Sequence, residues 1–187
     1  MARTPRWTET LQQNEVWNVK LFSWRYFNDY IQKKMLNYRD FIWRGQRCSD
    51  WLLEPTLDRA IKRKSKKRQI EIIKEHLERF KSATRGRRGL NPPKMNDEND
   101  WWALGQHHGL KTPLLDWTSS PFVAAYFAFV GTGQNQTAQR AVFALWQELS
   151  EANSLAVESH SGPGRSPILE VVRPFSNENS RLVSQGG

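Results

Sequence analysis

Apolar positions recur at spacings of three and four over residues 21–36, where Leu21, Trp24, Phe27, Ile31 and Met35 share one face and predict an amphipathic helix. The character then changes. Phe41, Ile42 and Trp43 form an aromatic and branched run that ends at Gly45, which predicts a short buried strand over 39–43 running into a turn, with Arg44 at the strand's end. Pro55 breaks any helix across 52–57. A second amphipathic helix is carried by Ile70, Ile73, Leu77 and Phe80.

Gly86, Gly89, Pro92 and Pro93, followed by Asn-Asp-Glu-Asn-Asp, mark 84–100 as a connection. Asn99 or Asp100 then suits the N-cap of a helix through Trp101, Trp102, Leu104, Gln106 and His108, which Gly109 stops. Leu114 and Leu115 suggest a short strand. Ser120 before Pro121 is an N-cap with Pro at the first helical position, opening a helix over 122–130 whose Ala124, Ala125 and Ala128 permit close packing. Residues 141–146 read as a buried strand, 147–153 as a helical turn, 154–166 as a Ser/Gly-rich loop and 168–172 as a last strand. The tail that ends on Gly186 and Gly187 holds no element of its own, which suggests a chain cut short. Together these elements predict an α+β fold: a small mixed sheet with packed helices, preceded by a helical lead-in over 1–38, with the main domain over 39–187.

The length of 187 residues suits one such domain, and nine Trp with nine Phe supply bulky material for its core. The single cysteine, Cys48, excludes an internal disulfide framework and a multi-cysteine zinc site. The first residues lack the apolar run of a signal peptide, and no window approaches the length of a membrane span. A soluble, cytoplasmic protein is expected.

The net charge of +9 is a local property, because residues 59–94 hold 14 Lys or Arg against 3 Glu and the remainder of the chain is slightly acidic. Lys62, Arg63, Lys64, Lys66, Lys67 and Arg68 lie in one run of seven residues. Such a cluster suits nucleic acid or an acidic protein partner; its structural alternative is a solvated helix face.

Candidate chemistry falls in two segments about sixty residues apart: Trp43-Arg44-Gly45-Gln46, and the run 106–129, which sets His107, His108, Asp116, Thr118, Ser119 and Ser120 between apolar stretches as a cleft would. Arg44 can grip a phosphate with two donors while Gly45 lets backbone approach it, or it can form a structural salt bridge to Asp116. His107 and His108, adjacent on a helix, point about 100 degrees apart and cannot both face one site. They also lack the spacing of a helical metal pair, so no metal site is expected. Asp116 between Leu115 and Trp117 should be half-buried and paired. At least one of Thr118, Ser119 and Ser120 should cap the following helix. Trp101, Trp102 and Tyr126 could stack on a base, Tyr126 being the best placed. No Gly-x-Ser-x-Gly elbow is present, which disfavours a serine hydrolase.

The pattern resembles the FRG domain family, named for an aromatic-Arg-Gly motif that stands here as Trp43-Arg44-Gly45. Leu53-Glu54-Pro55-Thr56-Leu57 with Arg59 is similar to the family's continuation. Gln106-His107-His108-Gly109-Leu110, Leu114-Leu115-Asp116-Trp117-Thr118 and Pro121, Ala124, Tyr126, Phe127 and Ala128 are similar to its central signature, and Arg181 to Gln185 with Gly187 to a late segment. In motif order the family is similar to ADP-ribosyltransferases. That resemblance implies NAD as substrate, for ADP-ribosyl transfer or NAD cleavage in a toxin or phage-defence effector. Arg44, His107, His108, Asp116, Thr118 and Gln185 would be catalytic, and Arg44, Gly45, Thr118, Ser119 and Tyr126 would hold the nucleotide. The late Glu-x-Glu of many such transferases is absent, and only Glu170 or Gln185 stands in that region. The rival expectations are a nucleotide or nucleic-acid binding module working through 62–68, and a protein-interaction module.

Overall fold

The computed structural model describes residues 5–12, 16–92, 94–130, 139–150, 152 and 170–173. The chain divides into two compact units, Met1–Phe41 and Ile42–Gly187. Helices combine, among the described residues, with two small two-stranded sheets, the α+β architecture expected.

The first unit is only partly the helical lead-in anticipated from the sequence. Strands β1 (Trp7–Leu11) and β2 (Trp17–Leu21) form an antiparallel hairpin in which Trp7 faces Leu21 and Leu11 faces Trp17. Trp17, Val19 and Leu21 alternate with Asn18 and Lys20, and this period of two wins over the helical spacing that begins at Leu21. Helix α1 is therefore Tyr26–Lys34, burying Phe27 and Ile31. Trp7 meets Tyr30 edge-on at 5.4 Å, and Arg6 pairs with Asp29 at 2.6 Å, so the hairpin and α1 are joined by apolar and charged contacts.

In the second unit β3 (Phe41–Gln46) pairs with β4 (Ala141–Trp146). The strand starts later than expected, after a 3-10 turn over Tyr38–Asp40, and runs through Arg44 and Gly45, so Arg44 is inside the strand. Helices α2 (Thr56–Ile61), α3 (Lys66–Ala83) and α4 (Glu98–His107) enclose a cluster of Leu57, Ile61, Leu77 and Trp102, with Ile72, Ile73, Trp101, Leu110 and Leu114 packed around it. Ile70, expected on the buried face of α3, is exposed, and Ile72 takes part instead.

Local chemistry explains the helix ends. Ser65 caps α3 by accepting from the Arg68 amide at 3.3 Å. The cap of α4 is Asp97, two residues before Asn99: it accepts from the Asp100 amide at 3.0 Å, while the buried Asp100 carboxylate accepts from Asn96 N at 2.8 Å. This reciprocal pair satisfies donors that a helix start leaves open. Gly109 ends α4 with φ of 83° and the Leu110 amide reaches back to Gly105 at 2.8 Å, a glycine C-cap.

Helix α5 (Pro121–Phe129) opens as expected, with the Ser120 hydroxyl accepting from Val123 N at 3.4 Å. It buries Pro121, Ala124, Ala125 and Ala128 and packs on β4. Residues 147–150 are helical. Among the described residues Leu114 and Leu115 join no ladder, unlike the short strand expected there, and 170–173 carry no strand. The expected loop over 154–166, the start of the last strand, and Gln185 with its late segment lie outside the described residues.

Candidate functional site

The polar site is assembled where β3 meets the segment leading into α5. Trp43 and Thr118 form an antiparallel bridge, with Trp43 N donating to Thr118 O at 2.7 Å and Thr118 N donating to Trp43 O at 2.9 Å. Both residues are buried. The two sequence segments singled out above are thus hydrogen-bonded to each other, and Arg44 follows the bridge directly.

Arg44 is half-buried, and its NH1 donates to the main-chain carbonyl of Asp116 at 2.6 Å. Its Nε is buried and has no acceptor among the described residues. Among the described residues no carboxylate comes within 4.0 Å of its guanidinium, so the structural salt bridge to Asp116 is not formed. Burial is the main influence lowering the Arg44 pKa; the Asp116 charge opposes it and the like charge of Arg59 adds to it. An arginine stays protonated regardless. What results is a partly desolvated cation that feels a second cation, Arg59 of α2.

Asp116 is exposed, not half-buried. Its carboxylate accepts from the Gln106 side-chain amide, and Gln106 Oε1 accepts in turn from the Thr112 hydroxyl. Thr112 is fully buried; its amide donates to Thr56 Oγ1 at 3.2 Å and its carbonyl accepts from Leu57 N at 3.1 Å. One polar chain therefore runs from the start of α2 through Thr112 and α4 to Asp116, whose carbonyl positions Arg44. Thr56, Thr112, Arg59 and the Gln106 amide were given no role on residue type alone. Their signal was an unusual density of polar side chains beside Leu57, Leu110 and Leu114.

The Thr118 hydroxyl accepts from Ser120 N at 3.2 Å, so Thr118 organises the turn that Ser120 then caps. Ser119 is exposed. Gly45 is placed differently from its expected role: on one side the backbone of α5 fills the space beside it, so the missing side chain admits a helix there.

Other candidates are not joined to this assembly. His107 and His108 lie edge-on to each other at 5.2 Å, and His108 is exposed at the end of α4. Among the described residues neither ring has a hydrogen bond or ion pair to Arg44. Tyr126 is 62% exposed and packs edge-on against Phe127. Trp102 is core and Trp101 packs beside it, under the Arg88 guanidinium at 5.1 Å. Glu170 is exposed and accepts from Asn99 Nδ2 at 3.0 Å, at the start of α4. Among the described residues no three His, Cys, Asp or Glu side chains are grouped to hold a metal ion, and no helix is long and apolar enough to cross a membrane.

The basic run is exposed throughout. Lys62 follows α2 and pairs with Glu54 at 3.4 Å, and Arg68 is shared by Glu71 and Glu75 at 3.0 and 3.2 Å. Arg63, Lys64, Lys66 and Lys67 have no carboxylate within 4.0 Å among the described residues.

The model of the FRG domain matches residues 39–137, more than half of the chain and the whole span from β3 to just beyond α5. The chain belongs to the FRG domain family. No curated protein and no solved structure matches it. The Trp43-Arg44-Gly45 motif of this FRG domain therefore has a structural account: Trp43 holds the bridge to Thr118, Arg44 offers a cation beside it, and Gly45 admits α5.

Proposed function

We propose that this FRG domain binds NAD and breaks its nicotinamide–ribose bond, with Arg44 holding the pyrophosphate. The observation that supports this reading is the Arg44 guanidinium: fixed at one end by the Asp116 carbonyl, partly desolvated, and carrying a buried Nε donor without an acceptor. A planar guanidinium with donors to spare matches a phosphate, and Arg59 adds a second positive charge for a dianion. In the reaction the C1′–N bond breaks, nicotinamide leaves with the bonding electrons, and the ribosyl carbon accepts an electron pair from water or from an acceptor nucleophile, which gives up a proton. The second motif reaches that cation through the Asp116 carbonyl, and its Thr118 is bridged to Trp43, the neighbour of Arg44.

The test is incubation of the chain with NAD labelled in its adenylate, following nicotinamide release and label on protein, DNA or RNA, beside Arg44→Lys and Arg44→Ala variants shown to be folded. Release or labelling that falls at least tenfold in Arg44→Lys supports the reading, because Lys keeps the charge but not the two-donor grip. Equal activity in wild type and both variants overturns it.

A second reading rests on Arg63, Lys64, Lys66 and Lys67, which gather at the start of α3 without a carboxylate partner among the described residues, where the helix's own amides are also positive. This face suits the phosphate backbone of a nucleic acid. Binding through it would weaken steeply with salt, with a slope of about 0.9 per phosphate contacted.

A further inference from the structure

We infer that Gln46 is a second ligand contact of the Arg44 site, and that its side-chain oxygen accepts a hydrogen bond from an N–H or O–H of the same ligand. The inference rests on the reading of Arg44 as the anion-binding residue and adds the group that distinguishes a nucleotide from a bare phosphate.

Gln46 lies two residues after Arg44 on β3, and side chains two apart on a strand share a face, about 7 Å from one another. Gly45, between them, turns the opposite way, toward α5. Gln46 is 6% exposed. Its Nε2 donates to the Leu52 carbonyl at 3.4 Å, the amide orientation that this carbonyl favours, since the reverse would set two oxygens against each other. Its Oε1 is then buried with no donor.

Buried polar atoms are nearly always hydrogen-bonded, so each exception asks for a cause. Here two exceptions stand on one strand face: Arg44 Nε, a donor lacking an acceptor, and Gln46 Oε1, an acceptor lacking a donor. They do not satisfy each other. A ligand that completes both carries an anionic oxygen at one point and a hydroxyl or amide N–H several ångströms away. A nucleotide diphosphate joined to a sugar has this layout, with phosphate oxygens a few bonds from ribose hydroxyls. Inorganic pyrophosphate has only the first half.

The experiment measures binding of pyrophosphate, ADP-ribose and NAD to the wild-type chain and to Gln46→Met, with Gln46→Leu as a second variant, together with thermal unfolding of each without ligand. The expected result is unchanged pyrophosphate affinity and a loss of about tenfold or more for ADP-ribose and NAD, as deleting one hydrogen-bond partner of a ligand can produce, measured below the unfolding transition of each variant. On the wild type alone, ADP-ribose analogues with each ribose hydroxyl replaced in turn by hydrogen should include one that loses a similar factor. Pyrophosphate and ADP-ribose binding that is equal in wild type and variants, with every analogue equal to its parent, overturns the Gln46 assignment and leaves Arg44 standing. Failure of the wild type to bind any of the three overturns the Arg44 reading and this inference with it.

Discussion

Gly45 on β3 lies directly against Ala124 on α5: a Cβ built on Gly45 would stand 1.8 Å from the Ala124 carbonyl oxygen and 2.8 Å from the Ala128 nitrogen. Both obstacles are helix backbone, which cannot swing aside as a side-chain tip can. The strand and helix are thereby held in contact on one side of β3. On the other side of the strand are Arg44 and Gln46, whose Nε and Oε1 are left unsatisfied. A motif glycine that would be read as room for a ligand fixes the scaffold from which its neighbours project.

Gly45→Ala is therefore expected to be among the most damaging single substitutions in the chain. Overpacking a core contact costs about 1 to 3 kcal/mol and sometimes more, and a clash with unyielding backbone belongs at the upper end. Gly109→Ala is the control: its Cβ would meet nothing within 4 Å, and its cost is that of a left-handed residue, about 1 to 2 kcal/mol. Urea unfolding of both should rank Gly45→Ala well below Gly109→Ala.

Thr112→Val should destabilise the second unit without changing its volume. The residue is fully buried and its hydroxyl both donates to Gln106 Oε1 and accepts from Leu114 N at 3.4 Å. Valine leaves a buried acceptor and a backbone donor unmet, for a loss of about 1 to 3 kcal/mol. The polar chain also orients Asp116, whose carbonyl holds Arg44, so NAD or ADP-ribose affinity should fall in Thr112→Val even below its unfolding transition. Calorimetric binding at low temperature separates the two effects.

Helices with strong periodicity or a plain cap were legible from the residues: Leu77 and Phe80 in α3, and Ser120-Pro121 at the start of α5. Leu21 misled because it belongs at once to a helical spacing and to the alternation of Trp17 and Val19, and hairpin pairing with Trp7 decided between them. Leu114 and Leu115 are branched and consecutive, yet among the described residues have no strand beside them, and an extended run becomes a strand only when a partner supplies hydrogen bonds. In the site, the two motif segments lie together, with Trp43 bridged to Thr118 and Arg44 bonded to the Asp116 carbonyl. Gln46 stood in the first candidate segment without a role and Thr112 was passed over, because their importance lies in burial and in missing or shared hydrogen bonds, which residue type alone does not report. Tyr126 is exposed on α5, while Ala124, Ala125 and Ala128 form that helix's buried face, the close packing their small size permits.

Charge at the start of α3 gives a prediction that separates stability from binding. Lys66, Lys67 and Arg68 occupy its first turn with no acidic residue among them, against the preference of a helix N-terminus for negative charge. Lys66→Glu and Lys67→Glu should each stabilise the domain by about 0.3 to 1 kcal/mol at low salt. If this face docks nucleic acid, the same pair of changes will flatten the salt dependence of binding by about 0.9 for each phosphate that is no longer neutralised. Thermal unfolding and fluorescence anisotropy with a short duplex, each over a salt series, check both.

Asp58 supplies the pH dependence. It sits in the first turn of α2, and burial, followed by the negative charge of Glu54, pushes its pKa above the usual carboxylate value, with Lys66 opposing. For an acid whose folded pKa exceeds its unfolded one, near 3.9, the native state binds the extra proton between the two values. Stability due to this group is then present at low pH, declines as pH rises through that window, and is gone above the folded pKa. Asp58→Asn, which keeps the shape and removes the charge, should therefore unfold at a higher temperature than wild type at pH 7, with the two converging as pH falls below about 4. Melting curves between acidic and neutral pH test the sign directly. A gap that instead favoured wild type at neutral pH would mean that the carboxylate gains more from the amides at the start of α2 than it loses to burial and to Glu54.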